Sequence, residues 1–428
     1  MSPKPTSEAE RITIHIAPGV YRAQHILKTP YVSLVNTDPS QEVKITWYYG
    51  IGYKYYSAGK DGYYNKLNAN DKYFKNGSTE EQTKDVARWG GAFYIQSTAS
   101  NFYAENIVFE NSFNKYVTEE EIADGVAPNL AQSIRVDRTV DGVDVRSKAA
   151  TERAAAILSE GDNAEFYKCS FLSSQDTLYV NPSLHQYYKD CFVEGMTDYI
   201  FGDGEVVFDG CTLNFCGYAT GESSTTGGCI TATKYDKGGN GYLFKDCVVT
   251  GTKEGGIDVG AGQFGRPWGA TVKFINTVID GENLITERGY TDMTGRPEDA
   301  NYYEYNTTLA DGTPFITTAS KKLTKEEADA IKVTDWFGGW TPKNYKENSG
   351  GDDDDDKIIY GDVDGNGFVT AADAAIVLQA AIDSSFNLTG NALKAADVDG
   401  TGDISVNDAS LVLQKVLDSK VVLPAEKK

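Results

Sequence analysis

Hydrophobic positions along this chain fall in short β-type runs rather than long helical stripes. Six segments share one shape: Asn101 to Phe109, Ala164 to Phe171, Gln186 to Val193, Val206 to Leu213, Tyr242 to Val249 and Val272 to Ile279. Each carries an aromatic or aliphatic pair, then a polar step, then Cys or a substitute, then apolar residues. Cys169, Cys191 and Cys211 are 22 and 20 residues apart, and Cys211 to Cys247 is 36, which fits one coil with a long loop inserted. Strands that recur every 20–25 residues or so, with no helix between them, predict a solenoid of parallel strands in which each coil buries its inner face on the next. Propeller blades are longer, at about 40–50 residues. The expected fold class is therefore all-β, a right-handed parallel β-helix. Its equivalent cysteines form an inner ladder of buried free thiols, because stacking alone does not supply the specific geometry of a disulfide.

The pattern is interrupted in three places. Residues 47–91, dense in Tyr, Gly, Lys and Asn, read as a loop insertion, either a lid or decoration. Beyond Thr318 the repeat stops. Thr324-Lys-Glu-Glu327 matches a capping box before a short helix, and Asp335 to Trp340 follows, a tail expected to pack along the solenoid or close its end. Residues 349–359 form an acidic Gly/Asp linker whose five adjacent Asp residues repel one another and cannot build a core. The expected division is 1–348 for the β-helix, 349–359 for the linker and 360–428 for a C-terminal module.

That module contains two calcium loops by spacing. In the first, oxygen ligands fall at Asp362, Asp364, Asn366, Thr370 and Asp373, with the Phe368 carbonyl and a turn at Gly367. The second begins 35 residues later with Asp397, Asp399, Thr401, Ser405 and Asp408, plus the Asp403 carbonyl. Each loop leads into an apolar helix, ends in Asp rather than Glu, and lacks a full entering helix. The tandem, from Tyr360 to about Leu423, resembles a type I-like dockerin of the ruminococcal kind, a small all-α, EF-hand-like domain. The resemblance implies two calcium ions, a cohesin domain of a scaffoldin as partner, and an extracellular, cellulosome-associated location. The competing reading is an ordinary EF-hand sensor pair.

The candidate chemistry lies in the repeat. Asp176 is seven residues beyond Cys169, and Asp198 is seven beyond Cys191, so both occupy one register on adjacent coils. Two carboxylates one strand spacing apart do not both ionise cheaply, which sets an acid beside an anionic nucleophile without Ser or His. Both are expected to face solvent.

Gln175-Asp-Thr-Leu-Tyr179, Asp198-Tyr-Ile-Phe-Gly202 and Phe264-Gly-Arg-Pro-Trp268 resemble, in order, three signatures of pectin methylesterases, and Pro18 to Tyr21 and Phe109 to Ser112 match weaker ones. The resemblance covers about Ile12 to Trp340. It implies Asp198 as nucleophile, Asp176 as general acid/base, Gln175 as oxyanion donor and Arg266 as the group orienting the nucleophile, with no cofactor for catalysis. Trp268, Tyr179 and Phe201 would contact the sugar of a pectin (homogalacturonan) substrate. The family's second oxyanion Gln is replaced by Arg153, a possible substitute donor. The strand and short helix that normally precede Ile12 are absent, which leaves an N-terminal cap missing and points to a truncation or an upstream domain. Alternatives are a polysaccharide lyase or hydrolase of the pectin chain, or a non-catalytic carbohydrate-binding β-helix.

Composition narrows partners further. The formal charge of −22 makes the chain a poor candidate for binding nucleic acid, whose phosphates require Lys and Arg. A substrate with esterified carboxylates escapes repulsion by this acidic surface. No apolar run of 18 residues exists to span a membrane as a helix. The polar N-terminus carries no signal peptide, so a secreted location implies that one has been removed or lies outside this sequence.

Overall fold

The computed structural model describes residues 4–50, 56–58, 64–69, 90–113, 115–116, 139–140, 143–144, 153–181, 184–216, 228–233, 239–252, 261–266, 269–291, 301–346, 359–363, 369, 371–383, 386, 388, 390–417 and 421–423. Two compact units divide the chain, residues 1–347 and 348–428.

The first unit is a right-handed parallel β-helix. Three parallel sheets of ten, nine and seven strands run along it, and each coil contributes one strand to each sheet over most of its length. Phe166, Tyr188, Phe208, Phe244 and Phe274 occupy one register of the first sheet. Their rings stack with centroids 4.8, 4.6, 4.8 and 4.4 Å apart and planes within 12° of parallel. That spacing is the distance between neighbouring strands, so the coil repeat itself brings the rings into contact. The ladder ends at buried Glu304, which aligns with Phe274 and accepts a hydrogen bond from Thr317 Oγ1 at 2.6 Å.

The corner between the first two sheets explains the polar step in the sequence repeat. Asn106, Lys168, Asp190, Gly210, Asp246, Asn276 and Asn306 all have φ between 52° and 63°. One left-handed residue turns the chain there, and Asn, Asp and Gly tolerate that conformation best. The next residue points inward. Cys191, Cys211 and Cys247 Sγ donate to the Phe166, Tyr188 and Phe208 carbonyls of the coil below at 3.4, 3.3 and 3.5 Å. All six cysteines are buried and free. Cys216 and Cys229 lie outside this ladder.

The capping box at Thr324 and Glu327 is formed, and starts the helix Lys325–Asp329. The tail beyond it packs Val333, Trp336 and Phe337 on Tyr187, Val207, Leu243 and Ile275 of the first sheet's outer face. Trp336 Nε1 donates to the Gly241 carbonyl at 2.9 Å. At the first coil, Ile12 and Ile14 are 45% and 46% exposed. The root of the expected insertion is packed: Tyr48 and Tyr49 are buried with Phe113 and Ala154. Of the remainder, the backbone forms an antiparallel pair, Tyr56–Ala58 with Tyr64–Ala69, and most of the segment lies outside the described residues.

In the second unit, helices Ala371–Ile382 and Val406–Leu417 pack around Val377, Ala396, Val398 and Val412. A third helix spans Gly390–Ala396. No helix among the described residues is long and apolar enough to cross a membrane.

Candidate active site

The third sheet carries the candidate residues, and its register brings them together. Strand Leu178–Val180 pairs with Ile200–Gly202, Leu178 opposite Ile200. Upstream, isolated bridges align Arg153 with Gln175 and Gln175 with Thr197. The same offset sets Asp176 beside Asp198, one strand spacing apart. Both aspartates are left-handed, with φ of 56° and 50°. Each thus forms the bend by which its coil enters the third sheet, a role that Asp tolerates better than most residues.

Asp198 Oδ2 is ion-paired and hydrogen-bonded to Arg266 Nη2. Arg266 follows strand Gln263–Gly265, which pairs with Cys229–Thr233, the strand beyond Ile200–Gly202. Its guanidinium therefore crosses one whole coil to reach the carboxylate. The other carboxylate oxygen, Oδ1, is buried without a hydrogen-bond partner. One oxygen is held and the other is left available.

One expectation needs correction. The carboxylates do not face open solvent: Asp176 is 2% and Asp198 3% exposed. The Arg266 side chain, 29% accessible, is the outer group of the ion pair, so the site presents its cation outward and its anion beneath. The Asp198 pKa is raised, and burial is the cause. Burial lifts it from its ordinary 3.8 to about 6, against the Arg266 charge and hydrogen bond, which pull it down.

Tyr179 and Phe201 stand side by side on the outer face of the third sheet, rings stacked at 5.2 Å. Leu158, Tyr94 and Ile26 continue the row on one side and Ala232 on the other, giving an apolar track beside the carboxylates. Arg153 is exposed in the column of Gln175. Trp268 lies outside the described residues.

The sequence reading missed Cys229. The offset that pairs Ile200 with Thr231 carries Asp198 to Cys229, so a buried thiol lies on the far side of the nucleophile candidate. Burial and the Asp198 charge push that thiol up, and Arg266 pulls it down. The 31-residue step from Asp198 to Cys229, against 22 from Asp176 to Asp198, hides the register in the sequence.

In the second unit, Asp397, Asp399 and Asp408 bring one carboxylate oxygen each within 4.8 Å of one another. Gly402, at φ +90°, makes the turn at the sixth loop position, and its N–H donates to Asp397 Oδ2 at 3.0 Å. Ser405 Oγ donates to Asp408 Oδ2 at 2.8 Å, and Thr401 Oγ1 to the Asp403 carbonyl at 3.3 Å. This all-oxygen donor set fits a hard divalent cation. In the first loop, Asp373 is fully buried and accepts from the Val363 N–H at 2.8 Å, and Asp362 is buried. Asp364, Asn366, Phe368 and Thr370 lie outside the described residues.

The third sheet of the solenoid thus holds two neighbouring acids, one of them ion-paired to an arginine, and comparison with known proteins places this arrangement in a family. Residues 138–329 match the Pectinesterase family model, and residues 360–417 match the Dockerin type I domain model. The chain carries a pectinesterase domain followed by a dockerin type I domain. "Probable pectinesterase A" of Neosartorya fischeri is 36% identical over 159 residues, which span 36% of this chain and 44% of that protein. Pectinesterase A of Emericella nidulans is 28% identical over 276 residues, 62% of this chain and 79% of that one. Among solved structures, the pectin methylesterase from Yersinia enterocolitica superposes with a TM-score of 0.56 at 22% identity, covering 80% of this chain and 97% of that one. Pectin methylesterase PemA from Erwinia chrysanthemi gives 0.55 at 21%, covering 80% and 91%. These structural likenesses show the shared fold.

Proposed function

We propose that the β-helix hydrolyses the methyl esters of homogalacturonan, releasing methanol and free galacturonate carboxylates. The observation that carries this reading is the Asp198 carboxylate, with Oδ2 held by Arg266 and Oδ1 unpartnered, one strand spacing from Asp176 and beside the Gln175 column.

Asp198 Oδ1 attacks the ester carbonyl carbon. Charge develops on the carbonyl oxygen, which accepts from the Gln175 amide, with Arg153 in the same column as a second donor. The tetrahedral species collapses, the carbon–methoxy bond breaks, and Asp176 gives its proton to the departing oxygen, so methanol leaves. Asp176, now a carboxylate, takes a proton from water. The water oxygen attacks the galacturonyl carbonyl of the acyl-enzyme, and Asp198 departs as a carboxylate. Arg266 keeps Asp198 ionised and fixes which oxygen points at the ester. Tyr179, Phe201 and Trp268 offer ring faces to the sugar.

The dockerin holds two calcium ions, through Asp362, Asp364, Asn366, Phe368, Thr370 and Asp373, and through Asp397, Asp399, Thr401, Asp403, Ser405 and Asp408. It binds a cohesin of a scaffoldin and places the enzyme outside the cell in a cellulosome. The carboxylate cluster at Asp397, Asp399 and Asp408 supports this reading.

The test is to incubate the protein with highly methylated pectin and follow methanol, viscosity and new chain ends together. The esterase reading expects methanol release at constant viscosity with no new chain ends. Unsaturated ends would indicate a lyase, and new reducing ends a hydrolase. Binding without any product would leave a carbohydrate-binding solenoid.

A further inference from the structure

Resting on the esterase reading, we infer that Tyr302 is a positioning residue for Arg266, reaching through the solenoid interior to hold the backbone from which the guanidinium projects.

Tyr302 belongs to strand Asn301–Tyr305 of the first sheet, on the opposite wall from the site. Its side chain points inward and is 1% exposed, and its hydroxyl donates to the Arg266 carbonyl. The Arg266 N–H meanwhile donates to the Thr231 carbonyl at 3.3 Å. Both peptide groups of Arg266 are thereby tied, one to the neighbouring coil and one across the core. The preceding residue has no slack. A Cβ on Gly265 would lie 2.3 Å from Thr231 Oγ1 and 3.5 Å from the Tyr302 hydroxyl. The Tyr302 ring is held in turn against Tyr290, centroids 4.4 Å apart and planes 19° from parallel.

This bracing matters because Arg266 works at the end of its reach. Its strand is two ladder steps from that of Asp198, and the row between Phe201 and Arg266 is occupied only by small Ala232. A backbone shift of a few tenths of an ångström at the strand end would be carried along the side chain to the carboxylate. Burial pushes the Tyr302 phenol far above its ordinary range, so it remains a donor at every working pH. The groups that face Asp198 are Arg266, Asp176 on the preceding coil and Cys229 on the following one. Tyr302 lies behind them and acts through Arg266.

The variant Tyr302→Phe keeps the ring stack and removes only the hydroxyl. Tyr242→Phe is the comparator. Tyr242 belongs to the same interior column, and its hydroxyl reaches the Phe201 carbonyl at 3.4 Å without touching Arg266. Steady-state methanol release is measured across pH for wild type and both variants, alongside thermal midpoints. For Tyr302→Phe the expected result is a fall in kcat of roughly five- to tenfold, the value of one hydrogen bond, with KM within about twofold. The acid limb of kcat/KM also moves to higher pH, because a less well-held Arg266 lets the Asp198 pKa rise. For Tyr242→Phe the limb stays at the wild-type position whatever the midpoint does. A Tyr302→Phe enzyme with wild-type kcat and limb overturns the inference while the esterase reading stands, as does a kcat loss with an unmoved limb. A wild type that releases no methanol overturns the esterase reading and the inference with it.

Discussion

The chemistry turns on the environment of one carboxylate. Asp198 is nearly fully buried beside a single cation, and burial outweighs that cation, leaving the group at about 6. Because the proposed nucleophile must be ionised, kcat/KM for methanol release should fall on the acid side with a midpoint near pH 6. Arg266→Ala removes the charge that pulls the group down, so its acid limb should lie higher than that of wild type. The same shift has a consequence for stability. The folded-state value lies above the 3.8 of the unfolded chain, so between pH 3.8 and about 6 the unfolded state ionises first and the folded state loses relative stability. Above pH 6 the ionised group costs on the order of 3 kcal/mol. Asp198→Asn removes that cost, and its thermal midpoint at pH 7 should equal or exceed that of wild type. A drop of several degrees would contradict this account of the site.

At the scale of elements, the coil repeat governs both the core and the site. The ring ladder from Phe166 to Phe274 and the left-handed corner from Asn106 to Asn306 are two expressions of it. Phe208→Ala opens a gap between two stacked rings. It should lower stability by about 3–5 kcal/mol, seen as a shifted denaturant midpoint. This much was legible in the sequence. The aromatic pair, polar step and Cys mark one inner wall, the corner and the next inner wall, and their seven-residue offsets to Asp176 and Asp198 placed two acids on neighbouring coils. Contacts that obey no local spacing were not legible. Cys229 lies in the column of Asp198, but 31 residues on. Tyr302 reaches Arg266 across the interior, and no periodicity along one wall reports a contact with another. The burial of the two carboxylates was equally hidden, because it depends on how neighbouring coils pack around them and, at Asp198, on the Arg266 side chain.

For the whole molecule, the two compact units make separate demands on the solvent. The carboxylates at Asp397, Asp399 and Asp408 repel one another until a cation offsets them, and binding to the folded form alone adds stability by mass action. A calcium chelator should therefore lower the melting temperature of the dockerin unit and abolish cohesin binding, and added calcium should restore both. Methanol release from soluble pectin should persist in the chelator, since the proposed steps use only carboxylates, an amide and guanidinium groups. The central claim is that Asp198 forms a covalent bond to substrate. It is tested most directly by methanol release from highly methylated pectin by Asp198→Asn beside wild type, with both proteins shown to be folded. The account predicts a loss of about a thousandfold or more. A folded Asp198→Asn protein that keeps a tenth of the wild-type rate would contradict it.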